Sequence, residues 1–196
     1  MNLRGNGNIT DYGLKYLINI EYLDLRGNDN ITNQSVINLT NLTSIKLEDN
    51  DNISNKTIRS LTKLSALDLQ CNYTITNETV LSLPNLKDLG LYGNDVIDTH
   101  TILQLTNLIK LDLSYNVLIY SIRKLTNLKS LKLINNHKIS NEAVASLTNL
   151  TFLDLTRNIK INEKTILSLP NLSSLYLTKN HNMDHTKFTC IINEFY

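Results

Sequence analysis

The chain of 196 residues has no tryptophan, two prolines, two cysteines and three phenylalanines. Aliphatic side chains must therefore fill its core. Cys71 and Cys190 lie far apart, outside any Cys-x-x-Cys or Cys/His spacing, so a zinc ribbon, a redox pair and a disulfide framework lack a basis. Two reduced thiols are expected. An excess of one charge is missing too: 19 Lys and Arg oppose 18 Asp and Glu. Nucleic-acid binding calls for a basic excess or stripe, so no nucleic-acid partner is expected. No window approaches the roughly 18 apolar residues that cross a bilayer. The opening "MNLRGNGNITDYGL" has no apolar stretch of the signal-peptide kind. These absences predict a cytoplasmic protein with no membrane attachment.

Catalytic signatures are absent as well. There is no glycine-rich phosphate loop, His-Glu-x-x-His, Gly-x-Ser-x-Gly or Cys/His constellation. "HNMDH" (181–185) sets two histidines four apart around Asp184, which is metal-ligand spacing. It falls at the C-terminal end of the pattern described next, where polar residues face solvent. No metal, no cofactor and no enzymatic activity are expected.

What the sequence does contain is one unit repeated. "YLDLRGN" (22–28), "SIKLEDN" (44–50), "ALDLQCN" (66–72) and "DLGLYGN" (88–94) fall into register. So do "KLDLSYN" (110–116), "SLKLINN" (130–136), "FLDLTRN" (152–158) and "SLYLTKN" (174–180), while "NLRGN" is a partial copy ending at Asn6. The closing asparagines are Asn28, Asn50, Asn72, Asn94, Asn116, Asn136, Asn158 and Asn180, spaced by 22 residues except for one step of 20. In L-x-L, alternate residues point to opposite faces, so each copy makes a short strand with its leucines inward. Thr, Ser or Asp then precedes apolar residues spaced by three, such as Val36, Leu39 and Leu42, which predicts a capped helical or 3-10 turn. The glycines of "RGN" and "YGN" belong to the bend at the strand exit. No copy can bury its leucines alone, but stacked copies can.

The pattern L-x-x-L-x-L-x-x-N resembles the leucine-rich repeat family, and the resemblance runs from Leu3 to about residue 182. The second half of the unit, as in "NGNITDYGLKYL", is most similar to the cysteine-containing subclass of F-box proteins, with Asn in place of Cys. The resemblance implies an α/β fold, a right-handed solenoid with a concave parallel β-sheet and short helical or 3-10 turns on its convex side. Residues 1–182 form the repeat array, and 183–196, with Phe188, Ile191, Ile192 and Phe195 at helical spacing, form an amphipathic C-terminal capping helix.

Eleven Asn-x-Ser/Thr matches raise the question of glycosylation, among them Asn33, Asn55, Asn72 and Asn77. The resemblance implies another duty for the repeat-closing asparagines. They bond the backbone groups of adjoining loops and form a ladder up the stack, supplying partners that irregular loops lack.

Partner contacts are expected at the outward strand positions. The central column reads Asp24, Lys46, Asp68, Gly90, Asp112, Lys132, Asp154, Tyr176, suggesting two alternating charge ladders interrupted at Gly90. One column earlier lie Lys110 and Phe152, and one later Tyr92, Ser114 and Ile134. Phe152, Tyr176 and Ile134 form one expected patch; Tyr92 and Tyr115, with Tyr73 at the loop edge, form a second. Tyrosine with neighbouring charge is the usual make-up of an interface hot spot. The expected partner-binding residues are Tyr92, Lys110, Asp112, Tyr115, Lys132, Ile134, Phe152 and Tyr176. The short copy at 116–127 predicts a tighter or non-helical turn that leaves Tyr120 at the surface. The chain opens inside a strand, which leaves three readings: that edge self-associates, Arg4 and its polar neighbours suffice to protect it, or the sequence is part of a longer protein. The reading is a non-catalytic module that binds another protein on its concave face. Alternatives are the substrate-recognition part of an F-box-type ubiquitin-ligase adaptor, or an extracellular adhesion or receptor fragment.

Overall fold

A computed structural model describes residues 1–180, 183–184 and 188, together with the backbone of 191–192. His181, His185, Cys190 and most of the expected capping helix lie outside the described residues. Ile191–Ile192 form a strand, correcting the expected helix at those two positions. The chain divides into two compact units, Met1–Gly90 and Leu91–Tyr196. In a chain of repeats, packing is local to neighbouring copies.

The first unit alternates α1 (Asp11–Leu14), β1 (Tyr22–Asp24), α2 (Asn33–Val36), β2 (Ser44–Lys46), α3 (Asn55–Ser60), β3 (Ala66–Asp68), α4 (Asn77–Leu81) and β4 (Asp88–Gly90). Its strands pair in parallel, each residue opposite the one 22 positions on, as in Leu23 with Ile45 and Leu67 with Leu89. The partial copy adds a bridge from Asn2 to Asp24. The second unit runs α5 (Thr99–Ile102), β5 (Lys110–Asp112), β6 (Ser130–Lys132), α6 (Asn141–Ala145), β7 (Phe152–Asp154), α7 (Glu163–Leu167), β8 (Ser174–Tyr176) and β9 (Ile191–Ile192). Its strands are parallel too, and β9 joins β8. As expected from L-x-L, Leu23, Leu25, Leu111, Leu113, Leu131 and Leu133 are all buried. Three helix caps act as expected: Thr32, Asp98 and Ser140 each accept a hydrogen bond from a first-turn N–H, as Asn162 also does, whereas Thr10, Ser54 and Thr76 precede their helices without such a bond. Between β5 and β6 the described chain has no helix, and Tyr120 is exposed, as the short copy predicts.

Among the described residues, the strand exits that precede a closing asparagine turn through the same backbone conformation. Gly5, Gly27, Asp49, Cys71, Gly93, Tyr115, Asn135, Arg157 and Lys179, each one residue before a closing asparagine, have φ between 48° and 59°. Glycine reaches this left-handed region without cost, whereas the six other residues are held there by the flanking bonds.

Three sets of asparagines fasten the loops. The first is the expected ladder, and its members are buried. Asn50 Nδ2 donates to the Asn28 carbonyl at 2.6 Å, and Asn72 Nδ2 donates to that of Asn50 at 2.6 Å. Asn158 Nδ2 donates to Asn136 O in the same way at 2.6 Å. Each side-chain oxygen accepts N–H groups of the loop that follows, as Asn94 Oδ1 does from Val96 and Ile97. The ladder survives the short copy, where Asn136 still reaches Leu113 O (2.9 Å) and Asn116 O (3.1 Å).

The second set stands at the start of the helical turns. Asn55 Oδ1 accepts from the Thr76 N–H at 2.9 Å and from the buried Thr79 hydroxyl at 2.6 Å. Asn33 does the same for Ser54 and Thr57, Asp11 for Thr32 and Ser35, and Asn141 for Asn162 and Thr165. Burial raises the Asp11 carboxyl, but the Ser35 and Thr32 bonds outweigh it and hold it below the ordinary value. Asn33 and Asn55, read as glycosylation matches, thus engage their oxygens inside the stack. The third set, in "LTNL" and its variants, is more exposed: Asn85, Asn127, Asn149 and Asn171 each donate to a carbonyl of the preceding copy.

Gly90 has a packing reason of its own. A Cβ there would stand 2.6 Å from Asp68 Oδ1, which accepts the Gln70 N–H at 3.2 Å. Gly90→Ala therefore displaces that carboxylate and lowers stability by about 1 kcal/mol, the net value of one such bond. Urea unfolding of the variant measures it; no loss beyond experimental error would show that Asp68 gives way freely.

Candidate partner-binding face

The outward strand residues of the first unit are engaged with one another. Asp24 is fully buried; its carboxylate accepts Arg26 Nε at 2.9 Å, Arg26 Nη2 at 2.7 Å and the Tyr22 hydroxyl at 3.2 Å. Arg26 Nη1 lies 3.6 Å from Glu48, whose Oε1 accepts from Gln70 Nε2 at 2.7 Å. Burial pushes the Asp24 carboxyl up, yet the Arg26 bonds prevail and hold it below the usual carboxylate value. Burial and then the Asp24 charge push the Tyr22 phenol up. The Asp24 carboxylate pairs with Arg26 of its own copy rather than with Lys46 across the sheet. An arginine two residues along a strand lies on the same face and delivers a bidentate bond that a lysine cannot.

The aspartates of the central column also share a duty. Asp24, Asp68, Asp112 and Asp154 each accept the N–H two residues ahead, at 3.2, 3.2, 2.9 and 2.9 Å. Asn2 does so for Arg4 in the partial copy, at 3.0 Å. An Asx turn of this kind closes the strand where the chain bends. The four acidic members of the six-residue charge ladders thus serve as strand-end caps. Across the sheet, Lys132 Nζ stands 3.6 Å from Asp112.

The second unit carries the aromatic residues. Tyr92 and Tyr115 pack ring to ring with centroids 4.9 Å apart, tilted by 44°. Phe152, which starts β7, and Tyr176, which ends β8, do the same at 5.3 Å and 44°. All four are partly exposed, as is Ile134, while Lys110 and Lys132 are exposed. Ser114, in the same column as Tyr92 and Ile134, is buried, so that column is not uniformly outward. The geometry places Phe152 against Tyr176 and Tyr92 against Tyr115, as expected of these pairs. Tyr73 is an exposed loop residue of the first unit.

Charge differs between the two faces. In the first unit Asp24, Glu48, Asp49, Asp68 and Asp88 outnumber Arg26 and Lys46. In the second, Lys110, Lys132, Arg157 and Lys179 outnumber Asp112 and Asp154. Sequence reading missed this asymmetry because the total charge nearly cancels. The role of the second Asn set was also missed, although its signal is present: Asn or Asp five residues after a closing Asn, with a hydroxyl residue 24 positions further on, in the next copy. Among the described residues no group of His, Cys, Asp and Glu converges as a metal site, and no helix is long and apolar enough to cross a membrane.

No family model and no curated protein matches the sequence. Solved structures do. TLR13 in complex with ssRNA13 is 28% identical with a TM-score of 0.63, over 91% of this chain and 27% of that one. Internalin C2 from Listeria monocytogenes is 25% identical with a TM-score of 0.66, over 95% and 84% respectively. Rad7, from the yeast Rad7 and Elc1 complex, is 17% identical with a TM-score of 0.61, over 94% and 64%, a likeness of fold alone. This chain thus spans about a quarter of the TLR13 chain. All three neighbours are leucine-rich-repeat proteins, and the parallel strand ladder with short helices seen here is that fold. The fold is a scaffold for binding proteins or other ligands.

Proposed function

We propose that this chain is a non-catalytic interaction module whose partner is a protein bound on the strand face of Leu91–Tyr196. One observation carries the reading: two aromatic pairs, Tyr92–Tyr115 and Phe152–Tyr176, sit partly exposed beside Lys110 and Lys132. Paired rings are rigid, present apolar area at low entropic cost and have neighbouring charge to orient a ligand. Asp24 of the first unit is instead buried and bonded to Arg26, which supports assigning that pair to stability.

The test is capture of partners by the tagged chain and by a Tyr92→Ala/Lys110→Glu/Phe152→Ala variant, with circular dichroism to confirm that the variant is folded. Loss of at least about nine-tenths of a specific partner, as expected for truncating hot-spot residues, bears the proposal out. Equal retention by both forms refutes this site. Ubiquitin-ligase subunits among the captured proteins would point to the adaptor role, and cell-surface proteins to adhesion.

A further inference from the structure

We infer that the segment recognised on this face is an extended peptide with two apolar anchors flanking acidic residues, an inference that rests on the binding face proposed above. Tyr115, beside β5, and Tyr176, on β8, stand three strand spacings apart, about 14 Å. They also differ in height along the strands: Tyr115 lies beyond the end of β5, whereas Phe152 opens β7. An extended chain advances about 3.3 Å per residue, so anchors for the two ring pairs fall about five residues apart. Lys132, on β6 between the strands that carry the pairs, is exposed and stands 3.6 Å from Asp112, and Lys110, also exposed, opens the neighbouring β5. Acidic side chains midway between the anchors are drawn to these two ammonium groups.

The same geometry disfavours single-stranded nucleic acid. Base stacking needs open ring faces, and here the rings lie against each other at 4.9 and 5.3 Å. A phosphate at every step also meets Asp112, which stands beside Lys132.

The experiment uses the whole chain and fluorescence anisotropy with four labelled probes. The first is an octapeptide of serines with Phe at its second and seventh positions and two Glu at the centre. The others replace Glu by Lys, replace Phe by Ser, or are an oligouridine of eight nucleotides. The acidic peptide should bind about tenfold more tightly than the Lys peptide, the ratio expected when two exposed charge pairs turn repulsive. The Ser peptide should lose binding. A Lys110→Glu/Lys132→Glu variant should reverse the preference between Glu and Lys probes, which a merely unfolded variant cannot do. Equal binding of Glu and Lys peptides, no binding of either, or tighter binding of oligouridine overturns the inference. If the capture experiment still shows a partner lost with the aromatic residues, the binding face stands and only the ligand class fails.

Discussion

Asn158→Ala should lower the unfolding free energy by about 3–5 kcal/mol, while Asn171→Ala should cost less than about 1 kcal/mol. Both asparagines donate from one copy to the one before, so the contrast isolates burial. Asn158 is 0% exposed and serves four backbone groups. Its Nδ2 donates to Leu133 O at 3.1 Å and Asn136 O at 2.6 Å, and its Oδ1 accepts the N–H of Lys160 at 2.9 Å and of Ile161 at 3.1 Å. Alanine leaves these groups without a substitute, and those of Leu133, Asn136 and Ile161 are buried away from water. Each orphaned group costs about 1 kcal/mol or more. Asn171 is exposed, and the Thr148 carbonyl it bonds at 2.9 Å can turn to solvent once it is gone. Asn158→Asp should be as damaging as the alanine change, because it retains the acceptor but sets a carboxylate oxygen against two carbonyls. Urea titration followed by circular dichroism gives the ranking, and hydrogen exchange at Lys160 and Ile161 localises it. Equal losses for Asn158→Ala and Asn171→Ala would mean that the buried ladder carries no special share of stability.

Asp24→Ala should cost about 2–3 kcal/mol and flatten the acid side of the stability profile. Removing one partner of a buried pair usually costs more; here Arg26 keeps a side-chain exposure of 22% and recovers part of its hydration. The Asp24 carboxyl titrates below its unfolded value of about 3.9. Its contribution is therefore complete above that value and disappears as pH falls through the folded one. Asp11, lowered by its hydroxyl partners, follows the same course. Wild-type stability should decline below about pH 4; Asp24→Asn should reduce that decline, and Asp11→Asn/Asp24→Asn should reduce it further. Unfolding midpoints from about pH 2 to pH 7 measure the effect. An unchanged acid limb in the double variant would place the titrating groups elsewhere.

Much of this architecture was readable from covalent order. A residue's column, its inward or outward side and the copy it belongs to all follow from position in the repeat, because alternation along a strand is local geometry. Leu23, Ile45 and Leu67 could be placed in the core before any neighbour was known, and the resemblance to the repeat family implied the ladder from Asn28 to Asn180. The bends too were marked at Gly27 and Gly93, although not that Cys71, Tyr115 and Arg157 share their conformation.

Identical columns then proved unlike in use. Asp24 is fully buried under Arg26, Asp68 leans over Gly90, and Lys132 of the same column is exposed. Asn33 and Asn55 match the glycosylation pattern in sequence, but only the structure shows their oxygens on hydroxyls of the next copy, 24 residues on. The repeat by itself determined the strands and the core, since each needs only a residue's own periodicity, while the first asparagine ladder was implied by the family resemblance. Tertiary structure alone decided which outward side chains are engaged with one another. That choice depends on contacts between copies about 20–25 residues apart, where competing donors and acceptors meet only after the chain has stacked.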